Sequence, residues 1–353
     1  MKIGKINISS RLATLALLCS LLLSTEVQSQ QSGGGYAESF IYRNVGARAV
    51  AMGGAYTAIA NEPNAIFYNP AGLAFFSPNP TVSTYVSSLG LGRTQSAIAW
   101  GQEVEDNFGI GFGINSMFSG SFIARDIKGN PIGEMSDMQY EFVAAGSYRI
   151  EFASMGASLK YINNNLTGSE YYGHGYSLDI GTKFDVMNMF TVGIAVQNIS
   201  GLMFWNTPGD DNEALPYVVR AGVAMEYGFN DKLYETRSTV TGELEMVYEP
   251  ATRYVLVGID VVFNQFQMSP NFVLGVEAVP HELVAFRGGI SLYGEDLGVP
   301  QILPMNIWGG GISIRPDLSD YELPFDAHLD YTISNDYISE TGISHHFSLF
   351  FQF

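Results

Sequence analysis

Residues 153–162 read Ala153-Ser-Met-Gly-Ala-Ser-Leu-Lys-Tyr-Ile162, and residues 176–186 read Tyr176-Ser-Leu-Asp-Ile-Gly-Thr-Lys-Phe-Asp-Val186. In the first, Ala153, Met155, Ala157, Leu159 and Tyr161 alternate with Ser154, Gly156, Ser158 and Lys160. In the second, Tyr176, Leu178, Ile180, Phe184 and Val186 alternate with Ser177, Asp179, Gly181, Lys183 and Asp185. A period of two places each set on its own face of a β-strand. The same pattern recurs over 190–197, 219–228 and 325–333. A soluble sandwich also alternates, so the charges discriminate. Lys160, Asp179, Lys183, Arg220, Glu226, Asp260, Glu277, Arg287, Asp326 and Asp330 all fall on the smaller-residue face. Small and charged inside, aliphatic and aromatic outside, is the pattern of a transmembrane β-barrel.

Composition agrees. Charged residues make up 15% of the chain, below the ~25% usual in soluble domains, and aromatics reach 13%. After residue 30 no run approaches the ~18 apolar residues that a spanning helix needs. A chain apolar enough for lipid but without such a helix needs a closed sheet, because lipid cannot satisfy an open edge. Strand candidates lie at 81–90, 95–104, 107–119, 138–149, 153–164, 175–186, 190–199, 216–228, 239–248, 253–263, 271–279, 283–292, 306–315, 324–334 and 344–353. Single-chain bacterial barrels have even strand numbers. We assign 239–248 to a loop outside the barrel and expect fourteen strands.

The N-terminus reads as a cleaved signal peptide over 1–29. Lys2, Lys5 and Arg11 precede the apolar run Leu12 to Leu23, and Val27-Gln28-Ser29 offers a small-residue cleavage site. Cys19 raises a lipoprotein alternative, but Leu18 precedes it where a small residue is needed. The mature chain from Gln30 carries 34 acidic residues against 14 basic ones. That balance excludes a nucleic-acid binder. Its only cysteine leaves with the signal, so disulfides cannot hold the fold.

Between the signal and the first strand, residues 30–79 do not alternate. They are rich in glycine and alanine, and Pro63 and Pro70 break them. Read physically, this segment either plugs the barrel formed by 80–353 or caps it from the periplasm. The chain ends with Phe347, Leu349, Phe351 and Phe353 on one face, and the terminal Phe353 resembles the signal that outer-membrane barrels present to their assembly machinery.

The run Gly46-Ala47-Arg48-Ala49, Met52-Gly53-Gly54-Ala55, Ala58, Asn64-Ala65 and Tyr68-Asn69-Pro70-Ala71-Gly72-Leu73 resembles the N-terminal signature of the PorV/PorQ family. That family sits within the broader fold of the long-chain fatty-acid transporters, which share the Asn-Pro-Ala element. Gly275-Val276-Glu277 followed by Arg287-Gly288-Gly289 resembles its paired late strands, and the resemblance covers essentially the whole mature chain. It implies a fourteen-stranded barrel with an N-terminal plug, in which Gly53, Gly54, Asn69, Pro70, Ala71 and Gly72 are structural. It also implies a role in type IX protein secretion, with the translocon and exported cargo proteins as partners beside outer-membrane lipid. The runner-up is a channel for hydrophobic small molecules, by analogy with the transporters; a third reading is a purely structural protein. A lipid carrier needs an apolar pocket, and the charged inner face favours secretion or scaffolding. Glu277 and Arg287 face the lumen from adjacent strands and are expected to pair.

No catalytic, cofactor or metal site is expected. The histidines, His174, His281, His328, His345 and His346, have no Gly-x-Ser-x-Gly nucleophile motif near them. His345 and His346 point to opposite strand faces. Asp210-Asp211-Asn212-Glu213 and Glu295-Asp296 lack EF-hand spacing. The exported protein is predicted to begin at Gln30. N-terminal sequencing of material from the outer membrane checks this, and a lipidated Cys19 would overturn it.

Overall fold

Fourteen antiparallel strands form one closed sheet in the computed structural model, which describes residues 39–105, 107–186, 189–207, 212–237, 244–249, 251–265, 270–293, 306–318, 323, 325–335 and 342–353. The strands are β1 (Thr81–Ser88), β2 (Thr94–Glu105), β3 (Phe108–Arg125), β4 (Pro131–Ile150), β5 (Ala153–Thr167), β6 (Tyr172–Val186), β7 (Phe190–Trp205), β8 (Val218–Gly228), β9 (Tyr254–Asn264), β10 (Asn271–His281), β11 (Val284–Tyr293), β12 (Asn306–Ile314), β13 (Asp326–Asn335) and β14 (Ile343–Gln352). Each pairs with its neighbours in sequence, and β1 closes the ring on β14 from Thr81↔Gln352 to Ser88↔His345. No backbone edge is left for lipid to satisfy.

Burial follows the period of two. On β5 the residues from Ser154 to Ile162 alternate buried and exposed, with the small and charged positions inside. Lys160, Asp179, Lys183, Arg220, Asp260, Glu277, Arg287 and Asp330 are buried, while Glu226 and Asp326 are exposed. Leu159, Phe142, Ile180 and Phe347 are among the apolar residues on the outer surface.

The wall is uneven. Strands β3 to β7 run for 15 to 20 residues, whereas β1 has 8 and β10 has 11. The sequence reading, 107–119 and 138–149, ends these tall strands early. Past the lipid belt both faces meet water, so 121–125 and 131–134 are mostly exposed and do not alternate. The reading of β7 stops at Ile199 for another reason. Asn198 and Ser200 adopt φ of 58° and 53°, and the register against β6 shifts twice there, as successive bulges require. At the Phe353 end the turns after β2, β4, β6 and β10 are two or three residues long, which marks the periplasmic end. Between β8 and β9, Lys232–Arg237 and Leu244–Glu249 pair only with each other. Part of the 239–248 candidate therefore belongs to a hairpin apart from the barrel, and its residues 239–243 lie outside those described, as does the 1–29 signal segment.

Residues 45–60 and 62–74 are buried throughout. They contain the helix α1 (Ala47–Ala51) and the short 3-10 helices Pro63–Phe67 and Pro70–Phe75, and they touch the wall from β1 to β14, inside the ring. Small residues are needed because backbone meets backbone. Gly53 has φ of 68°, and a Cβ there would stand 2.7 Å from Ile290 N. A Cβ on Gly289 of β11 would stand 2.1 Å from Met52 C. Gly289→Val is therefore predicted to lower the thermal midpoint, by overpacking of about 1–3 kcal/mol. Gly288→Val, where a Cβ meets nothing within 4 Å, is the control. Thermal unfolding of both variants in detergent checks the pair, and equal midpoints would refute the contact.

Candidate functional site: the plugged lumen

A chain that leaves regular structure still has amides and carbonyls to satisfy. Inward polar side chains of the wall meet those of the plug. Asp260 Oδ2 accepts from Tyr56 N and Thr57 N at 3.0 and 2.9 Å. Lys183 Nζ donates to Ile59 O at 2.8 Å, Gln197 Nε2 to Phe67 O at 2.8 Å, and Thr332 Oγ1 to Ala47 O at 2.9 Å. Asn69 caps the helix that starts at Pro70: its Oδ1 accepts from Ala71 N, and its Nδ2 donates to Thr57 O and Thr182 O. A Cβ on Gly72 would stand 2.0 Å from Ala60 O. Gly54, with φ of 93°, lies against Asn44.

Toward the periplasmic end sits a buried ion cluster. Glu277 and Arg287 are paired in register across β10 and β11, and Arg287 Nε donates to Glu277 Oε2. Arg48 of the plug grips the same carboxylate with Nε and Nη2, both at 2.8 Å, and reaches Glu62 Oε1 at 2.8 Å. Arg287 also reaches Asp330 Oδ1 at 2.7 Å, and Tyr254 OH donates to Glu277 Oε1 at 2.8 Å. Sequence reasoning found the wall pair and missed Arg48. The signal was present, because Arg48 is the single basic residue between Asn44 and Ala74.

Midway up the lumen a polar belt crosses six adjacent strands. Gln95 Nε2 donates to Asn115 Oδ1 (3.1 Å) and Asn115 Nδ2 to Glu141 Oε2 (3.3 Å). Lys160 Nζ lies 3.2 Å from Glu141 Oε1 and 2.8 Å from Asp179 Oδ2, and the bulged Asn198 donates its backbone N–H to Asp179 Oδ1 at 2.9 Å. All six residues are buried. Beyond the belt, toward the outer end, Phe40, Ile162, Met203 and Leu215 form an apolar cluster against which Ile41, Met117 and Trp205 pack. Elsewhere a cavity of about 160 Å³ lies between plug and wall, lined in part by Ile59, Asn61, Lys183, Thr191 and Glu226.

The histidines are dispersed. His346 is buried between Tyr85 OH (2.9 Å) and Ser334 Oγ (2.8 Å), His345 meets Tyr331 OH outside, and His328 stacks on Phe350. His174 stacks on Phe204, and His281 Nδ1 accepts from Leu283 N in a turn. Asp210, Asp211, Glu295 and Asp296 lie outside the described residues. Phe353, exposed at the periplasmic end, donates its backbone N–H to Pro80 O at 3.0 Å.

No protein-family model matches the chain, and no curated protein sequence matches it. Among solved structures it is similar to the CymD monoaromatic hydrocarbon channel, at 14% identity over 88% of this chain and 97% of that one, with a TM-score of 0.56. It is similar to the toluene transporter TbuX of Ralstonia pickettii, at 15% identity over 87% and 97%, TM-score 0.53. A Pseudomonas aeruginosa FadL homologue matches at 11% identity over 91% and 99%, TM-score 0.52. The fold is that of a FadL-like outer-membrane barrel. These neighbours are transport proteins and lend no support to the secretion role expected from the PorV/PorQ resemblance. Many of the inward charges hold the plug, so their presence does not by itself describe the surface open to a solute.

Removing one partner of a buried ion pair leaves the others uncompensated, at a cost of about 3–5 kcal/mol. Arg287→Leu and Glu277→Ala are both predicted to lower the melting temperature and to raise single-channel conductance in planar bilayers. An unchanged melting temperature would remove the cluster from the forces that seat the plug.

Proposed function

We propose that this chain is an outer-membrane channel for small hydrophobic molecules. The observation that carries the reading is the apolar cluster of Ile162, Met203 and Leu215 around Phe40, set on the outer side of the plug beyond the polar belt. Inward strand positions that face water need no such surface, whereas a hydrophobic solute entering from outside gains by leaving water there. The likeness to channels described as passing monoaromatic hydrocarbons and toluene supports it at the level of fold.

A second reading, a PorV/PorQ-like component of type IX secretion that binds translocon and cargo, is favoured by the motif from Gly46 to Leu73. That motif is used inside the barrel, however: Arg48, Gly53, Asn69 and Gly72 seat the plug. Plug seating serves a channel and a secretion component equally.

Expression of the full chain in a Gram-negative host lacking its own hydrophobic-solute channel distinguishes the two. Faster uptake of radiolabelled toluene and decanol than in the empty host is expected. Unchanged uptake, with a large translocon co-purifying from the native membrane, would replace the channel reading by the secretion one.

A further inference from the structure

The channel reading leaves open which hydrophobes enter, and the belt beneath the apolar cluster bears on that. On β5 the inward residues Ser158, Lys160 and Ile162 follow one another, so the charge of the belt and the floor of the apolar cluster are two residues apart. On β3, Asn115 and Met117 repeat the arrangement. A molecule with its tail among Ile162, Met203, Leu215 and Trp205 therefore sets its head on Lys160, Glu141 and Asp179. The ring of Phe40, from the chain's own N-terminal side, fills this space in the structure and shows that an aromatic or short aliphatic group fits.

From this arrangement we infer that the outer site takes amphiphiles with a neutral or cationic hydrogen-bond-donating head, an alcohol or an amine, and discriminates against carboxylates; this rests on the channel reading. Lys160 is the one cation of the belt. An ammonium has three N–H donors, and here they face Glu141 Oε1, Asp179 Oδ2 and Asn198 Oδ1, the last at 3.5 Å. None remains for an incoming anion. The carboxylates are the reverse: Glu141 Oε2 and Asp179 Oδ1 each accept one hydrogen bond, while Glu141 Oε1 and Asp179 Oδ2 lie against the ammonium and accept none among the described residues, which leaves lone pairs to spare. With two carboxylates to one ammonium in a buried setting, a further negative charge is repelled. Ser158, across from Asp179 in the ladder, is buried, and its hydroxyl has no hydrogen-bond partner among the described residues. It supplies an unused polar contact for the head.

The test uses the full chain in lipid nanodiscs with Trp100→Phe and Trp308→Phe, which leaves Trp205 as the reporter. Bromine quenches nearby tryptophan, so ω-bromodecanol, ω-bromodecylamine and ω-bromodecanoate are titrated in parallel. The alcohol and the amine should quench at concentrations at least about tenfold lower than the carboxylate. Phe40→Ala, which vacates the site, should tighten the alcohol and the amine, and Glu141→Gln should narrow the gap to the carboxylate. A carboxylate that binds as well as the alcohol would overturn this inference and leave the channel standing. Quenching by none of the three, with Phe40 or without it, would overturn both.

Discussion

A backbone that departs from helix and sheet inside a closed wall has to find partners other than water for its amides and carbonyls, and much of this lumen answers that requirement. Asp260, Lys183, Gln197, Ser154 and Thr332 look in sequence like the lining of an aqueous pore. Each makes a hydrogen bond to plug backbone. The ion cluster completes the pattern with charge. Glu277 is shared between Arg287 of the wall and Arg48 of the plug, so one carboxylate joins the two bodies. Glycines of the wall supply the remaining condition, close approach. The lumen is therefore a complementary mould, with polar partners for the plug's backbone and apolar ones, Val143 and Leu256 among them, for its side chains.

The fold was largely legible from sequence because lipid and lumen impose opposite preferences on alternate residues. The inward placement of Lys160, Asp179 and Arg220 followed from that alternation, and the rule of even strand numbers reduced fifteen candidates to fourteen. Legibility failed where the constraint lapses: above the lipid belt on β3 and β4, and at Asn198 and Ser200, where two bulges break the period. The Glu277–Arg287 contact could be read because adjacent strands fix their register. Arg48 could not be paired with them, because its segment has no period from which to compute a neighbour. The belt from Gln95 to Asn198 escaped notice for a related reason: apart from the in-register pair Asn115 and Glu141, its members meet on diagonals between strands or through a bulge.

The same two faces limit inward charge as a guide to cargo. Inward charge was weighed as if it were available to a passing molecule. In the folded protein Lys183 is held by Ile59 O and Arg48 by Glu277 and Glu62. A charged residue inside a barrel says little about permeation until its partners are known.

The plug also has a consequence for the order of assembly. Its residues precede every barrel strand in the chain, yet Ala47 donates its backbone N–H to Ser348 Oγ, 301 positions away, while Leu73 packs on Gly109. The Ala47–Ser348 pair requires β14 to be in place, whereas Gly109 lies on β3. The part of the plug around Ala47 thus reaches its final contacts late, since contacts this distant in sequence form late. During that interval its apolar residues, Val45 and Met52 among them, must stay unattached while the wall is built around them. A stickier sequence between Asn44 and Ala74 would risk closing the ring on a misplaced core.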